Sequence, residues 1–431
     1  MRVAGFTMLT RICIIVLGVV LSACAVSYYL SYYIQADQFY GREEYEYAIQ
    51  YYLRAIGEDD TKAEAYHGLA MSYYQLGDME GALLAFEKAL EKDSLYTSAY
   101  EHLASIYLDM GRADTAIALC RKAIQTDSEY VRSYITLGNA LFESGAAGAV
   151  KTLWRAIKLA KMLQGVWVGS DYWRSLNYGQ AEAYNALGRI YSAQGLHNYA
   201  LEAFESAVTL SPFWATPWMN KGKEYETLGK YLAAEVAYHR AIDISPKNAD
   251  AYKKLARLYR KLNKDNDAID MFREAIGIDP TDTESYLGLA EVYEVKNNYD
   301  RAIEAYNGVI QNAPDYPQGF LRAGMAHNKK RSYDRALELL NEALRLDAEY
   351  AEAHNAVGEL CDAKGMYEQA DTAFRQAIQC DSAFARPLKN LGALCLKQGR
   401  EDEAAKYYRR AAALGDPTAQ AFLRARGLDW K

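Results

Sequence analysis

The feature that most constrains this chain is a pattern of apolar and small residues that recurs about every 34 residues over nearly its whole length. Pro212, Pro246, Pro280 and Pro314 follow that spacing. Pro217, Pro317 and Pro387 fall in what would be the first turn of the next helix, where a missing N–H is tolerated. Residues 181–214 form the clearest unit. Tyr184, Leu187, Gly188 and Tyr191 recur at i, i+3, i+4 and i+7, one face of a helix that Gly195 would end. Ala200, Phe204 and Ala207 mark one face of a second helix, which Pro212 stops. Small residues at 188, 200 and 207 let two antiparallel helices approach closely, with the aromatic rings filling the space around that contact.

The same series returns in register along the chain. Residues 63–96 carry Tyr66, Leu69, Ala70, Tyr73, Gly77, Ala82, Phe86 and Ala89. Residues 249–282 carry Tyr252, Leu255, Ala256, Tyr259, Ala268, Phe272, Ala275 and Pro280. Further units begin at Tyr29, Thr97, Val131, Ala215, Thr283, Pro317, Ala351 and Ala385. An aromatic, Leu-Gly, Tyr, Ala, Phe, Ala, Pro series at these offsets resembles the tetratricopeptide repeat family. The resemblance implies an all-α fold, a right-handed superhelical solenoid of about eleven helix-turn-helix units around one continuous core and a concave groove. Residues 29–163 would hold units one to four, and residues 181–418 units five to eleven. Residues 419–431 would form a capping helix, with Ala421, Phe422 and Ala425 covering the last repeat.

The register breaks once. In the fourth unit Ala149, Leu153 and Ala156 fit the second-helix pattern better than Val150, and residues 164–180 are an insertion rich in aromatics. Trp167, Tyr172 and Trp173 are either contact residues on a loop for a partner or packing residues on a lengthened helix.

The first 28 residues read as a membrane anchor. Arg2 and Arg11 precede an apolar run from Ile12 to Leu21, and Leu21-Ser22-Ala23-Cys24 resembles the lipobox of bacterial lipoproteins, which implies cleavage and lipidation at Cys24. The apolar and aromatic stretch also continues to Ile34, long enough to span a bilayer as an uncleaved helix. On either reading, basic residues before the segment and Glu43, Glu44 and Glu46 after it place the repeats on the extracytoplasmic, periplasmic side of a bacterial membrane.

The formal charge of −7 argues against general nucleic-acid binding. The six cysteines include no CxxC and no paired Cys/His spacing, so no metal or cofactor is expected, and Cys120, Cys361, Cys380 and Cys395 read as buried small residues. His327 and His354 stand at aromatic core positions of their repeats. The stretch GKEYETLGK at 222–230 fails the phosphate-loop spacing. A non-enzymatic scaffold is therefore expected.

In the resembled family the first helix of each pair lines the groove. Its groove-facing offsets here give Lys223, Lys253, Arg257, Arg260 and Lys261, a basic stretch in an acidic chain. That face suits an acidic peptide or a carboxy-terminal segment of a partner protein. Some relatives clamp a chaperone C-terminus with a Lys–Asn–Asn–Lys–Arg set; Lys253 fits it, but Arg257 stands where the first Asn belongs. The function expected is a membrane-tethered scaffold that assembles or stabilises an envelope complex. The alternatives are a recruitment factor for polysaccharide export or cell-wall synthesis, and an integral structural subunit of a large membrane complex.

Overall fold

The computed structural model describes residues 28–165 and 170–429, with side chains in the second stretch described from residue 174. All secondary structure among the described residues is helical. The chain divides into two compact units, 1–228 and 229–431.

In the first unit, residues 28–41 form α1. It is followed by α2 (Tyr45–Glu58), α3 (Ala63–Gln75), α4 (Met79–Lys92), α5 (Thr97–Asp109) and α6 (Ala113–Thr126). Then come α7 (Val131–Glu143), α8 (Ala149–Gln164), α9 (Ser170–Ala193), α10 (His197–Leu210) and α11 (Ala215–Thr227). The second unit holds α12 (Tyr231–Ile244), α13 (Ala249–Lys261), α14 (Asp265–Ile278), α15 (Thr283–Val295), α16 (Tyr299–Asn312) and α17 (Pro317–Lys329). It continues with α18 (Tyr333–Leu346), α19 (Ala351–Ala363), α20 (Tyr367–Cys380), α21 (Ala385–Lys397), α22 (Glu401–Ala413) and α23 (Pro417–Ala425).

Within each unit, most helix pairs are built on one contact. The second helix presents two alanines, such as Ala82 and Ala89 or Ala370 and Ala377, with no exposed surface. Between them it buries a bulky side chain, Phe86, Phe204, Phe272 or Phe374. The first helix answers with a small residue: a Cβ added to Gly188 would lie 2.5 Å from the Phe204 ring, and one added to Gly358 equally close to Phe374. Cys120, Leu153 and Leu340 take the bulky position in their repeats and are equally buried. Cys361 and Cys395 are also buried, as the sequence suggested, but Cys380 is exposed because it closes α20 on the outward face.

Two backbone devices set the turns. Within each pair, the turn holds at least one residue in a left-handed conformation. Glycine fills that position in most repeats (Gly77, Gly111, Gly195 and Gly399 among them), but Glu43, Asn263, Asn297 and Arg331 fill it in others, at φ 64°, 56°, 55° and 62°. Between pairs, where proline is absent, an aspartate makes the turn: the Oδ1 of Asp93, Asp127, Asp347 and Asp381 accepts the backbone N–H two residues on.

The break at the fourth repeat is taken up by two long helices. α8 opens at Ala149 behind Gly148, at φ 107°, and buries Ala149, Leu153 and Ala156. It then runs through Gln164, and much of the span 164–180 is helix, because α9 begins at Ser170 and spans 24 residues where most first helices span 13. One buried cluster passes through Tyr134, Leu153, Leu163, Leu176 and Leu187. At the other end the cap starts at Pro417, with Asp416 accepting from the Ala419 N–H. Ala419 and Leu423 are its buried residues, and Phe422 stacks on Tyr408 at 4.1 Å. The expectation that Ala421 and Ala425 cover the last repeat is corrected: both are exposed, because helix entry at 417 turns 419 and 423 inward.

A left-handed arginine carries a strain that glycine does not. Arg331→Gly should therefore raise unfolding stability by about 0.5–1 kcal/mol, read as a higher denaturant midpoint at unchanged slope.

Candidate functional site

The first helix of each pair leaves one face free of its own partner, and the side chains at the groove offsets stand there. Their contacts differ between the units.

In the first unit, α3, α5, α7 and α9 carry a run of polar groups. The His67 Nε2 lies 3.4 Å from the His102 Nδ1, with the Ser98 hydroxyl within 3.2 Å of both. Glu101 on α5 is 2% exposed. Its Oε1 accepts from the Thr136 hydroxyl at 2.7 Å, while its Oε2 has no hydrogen-bond donor and meets the Arg132 guanidinium at 3.5 Å. Arg132 also faces Glu182 of α9 at 3.9 Å. Burial pushes the Glu182 carboxyl above its ordinary value, with Arg132 opposing and Glu101 assisting. Further on, the Asn220 amide donates to the Asn185 oxygen at 2.9 Å. Lys223 is exposed on α11.

In the second unit, the structure gathers Lys253, Arg257 and Arg260 on the face of α13, and α15 meets them with acids. Lys253 is paired with Asp282 and Glu284, both at 3.1 Å. Arg257 pairs with the same Glu284, and Arg260 with Glu291 at 2.5 Å. The basic stretch is therefore neutralised within the chain by the next repeat. Lys261 turns away, its Nζ 4.9 Å from the Tyr231 ring. A parallel ladder joins successive repeats: Lys296 donates to Asn266, Lys330 pairs with Asp300, and Lys364 pairs with Asp334. Near the C-terminus, the Asn390 amide donates to Asn355 at 2.9 Å and to Glu359 at 3.1 Å.

Cys24 and Trp167 lie outside the described residues, and of Tyr172 and Trp173 only their place on the opening turns of α9 is described. Among the described residues no cluster of His, Cys, Asp or Glu has the makings of a metal site, and no helix is long and apolar enough to cross a membrane.

The first unit also holds a cavity of about 640 Å³ that the repeat pattern does not announce. It lies between the start of α7 and the added turns of α9, lined by Tyr130, Arg132, Ile135, Leu176, Tyr178 and Glu182 among others. The signal was present: Leu187, Ala183, Gln180 and Leu176 continue the helical period backwards into the insertion.

Two measurements follow. Lys253 keeps only 15% of its side chain exposed, between two acids, so Lys253→Ala should cost about 1–2 kcal/mol, between the values for surface and buried pairs, read by thermal unfolding. Burial, with His102 second, lowers the His67 pKa from 6.5 to about 4. The unfolded chain thus takes up this proton first as pH falls, and folding stability contributed by neutral His67 is present above pH 6.5 and lost between there and pH 4. The loss is about 3 kcal/mol, and His67→Gln should flatten this part of the stability-against-pH curve.

Tetratricopeptide repeat family models match residues 67–131, 219–283 and 321–383, and further models of the same repeat match 181–213, 266–323 and 388–420. No curated protein matches the chain. Among solved structures, a tetratricopeptide repeat protein from Parabacteroides merdae is 17% identical over 57% of this chain and 97% of its own, with a TM-score of 0.46. Yeast Tom70 is 15% identical over 93% of this chain and 95% of its own, with a TM-score of 0.40. YrrB, a repeat protein with an unusual peptide-binding site, is 23% identical over 44% and 98%, with a TM-score of 0.35. None of these likenesses is close enough to bear on what this chain binds. The repeat models, set in the register of the helix pairs above, give the assignment: this chain belongs to the tetratricopeptide repeat family, whose members mediate protein–protein interaction and are typically non-catalytic.

Proposed function

We propose that this chain is a non-enzymatic scaffold, tethered to a bacterial membrane through its N-terminal segment, that holds protein partners and so assembles or stabilises a cell-envelope complex. The observation that carries the reading is the succession of first-helix faces with polar side chains set at recurring offsets. Such a face recognises extended or helical segments of other proteins without reacting with them.

The tether rests on the apolar run from Ile12, with Leu21-Ser22-Ala23-Cys24 inside it. A property of the first repeat agrees. The terminal repeats of a solenoid ordinarily present a polar outer face. Here α1 instead exposes Tyr28 (57%), Leu30 (52%) and Ile34 (46%) directly after the apolar segment. Tyrosine and aliphatic side chains in that setting suit a membrane–water interface. The acidic-peptide reading of the second unit has less behind it, because an incoming carboxylate would have to displace Glu284 or Glu291 from Lys253, Arg257 and Arg260.

The test is a gentle membrane pull-down of the full-length chain with mass spectrometry, run on wild type and Cys24→Ala. The wild type should fractionate with membranes and retain a reproducible set of envelope proteins. Release of Cys24→Ala to the soluble fraction identifies a lipid anchor, and retention identifies an uncleaved helix. A soluble wild type sinks the tether, and a wild type that retains no protein sinks the scaffold.

A further inference from the structure

The cavity beside α9 is this chain's own departure from its repeat, and three features define what it would take. Its size, about 640 Å³, lies in the range that accommodates a small ligand or a few side chains. Its walls are mixed: Val131, Ile135 and Leu176 are buried and apolar, and Tyr130 and Tyr178 add rings. Tyr178 is held in place by Trp214, centroid to centroid 5.3 Å.

The third feature is charge. Asp127, Glu129 and Glu182 line the cavity against a single cation, Arg132. Arg132 is itself claimed from behind by Glu101, whose buried Oε2 lacks a hydrogen-bond donor. One guanidinium thus serves two carboxylates and saturates neither, since its 3.9 Å approach to Glu182 is beyond hydrogen-bond reach. Glu182, partly buried and out of hydrogen-bond reach of Arg132, therefore favours an incoming N–H or ammonium group.

We propose that this cavity is a receptor pocket for a basic segment of a partner protein, in which a lysine or arginine reaches Glu182 while a flanking apolar side chain packs on Ile135 and Leu176. The assignment rests on the scaffold reading and deepens it. It places the chain's specificity in the added turns of α9 and makes the partner's segment cationic. Tyr172 and Trp173 then matter because they lie on the helix that builds the pocket.

The test uses the full-length chain in detergent and two fluorescein-labelled, amidated probes, one alternating leucine with lysine and the other leucine with glutamate. Fluorescence anisotropy should show saturable binding of the lysine peptide alone. Glu182→Gln should weaken it about tenfold, and Ser175→Arg, at an exposed position of the lining, should abolish it by filling the mouth with a cation. Asp402→Asn removes an equal charge from α22 and should change nothing. Unaltered melting of each variant establishes that it is folded. Absence of lysine-peptide binding overturns the proposal, as does an equal loss in Glu182→Gln and Asp402→Asn. In the membrane pull-down, Ser175→Arg should lose a partner that wild type retains. If it retains every one, the pocket assignment falls while the scaffold reading stands.

Discussion

How closely two helices approach within a pair decides everything else in both units. The alanines flanking Phe86, Phe204, Phe272 and Phe374 are sealed from water because the opposite helix offers Gly or Ala at the point of contact. A larger residue there collides with the ring, and a smaller ring leaves a void. This contact fixes the spacing of the pair. The spacing fixes which offsets of the first helix face away from its partner, and those offsets carry the side chains with which a repeat meets its neighbour or a ligand. The charged ladders from Lys253 to Glu284 and from Lys364 to Asp334 are consequences of that geometry rather than its cause. The exposed pairs among them, such as Lys364 with Asp334, contribute little each and are weakened by salt.

Much of the fold was legible because its determinants are local and periodic. The alanines and aromatic rings recur at fixed offsets, so their burial follows from the spacing alone. Even the one-residue slip at Ala149, Leu153 and Ala156 could be read. What the pattern hid were substitutions that keep a geometry while changing its chemistry. Arg331 and Glu43 hold the left-handed turn that glycine holds elsewhere, and Asp93 and Asp381 make the inter-repeat turn that proline marks elsewhere. A reading keyed to Gly and Pro passes over them.

The candidate site was less legible, since its properties depend on pairs about one repeat apart in sequence. Lys253, Arg257 and Arg260 look like an open cationic face when their own helix is considered, and become neutral once α15 is laid beside it. Conversely, Glu101, Arg132 and Glu182 look scattered along the chain until the added turns of α9 are seen to bring Glu182 against Arg132. Periodicity names the face of a helix, but it does not name which charge on the next helix will answer it.

The length of α9 has a mechanical meaning. In a solenoid of equal repeats each unit touches only its neighbours, so fraying from an end peels one unit at a time. A helix of 24 residues breaks that independence. Its carboxy-terminal half completes a pair with α10, while its added turns close the fourth repeat, and one apolar cluster runs through both. Opening either repeat exposes apolar surface that the other covers. A load applied at the N-terminal end would meet the third, fourth and fifth repeats on one shared apolar core rather than as separate units.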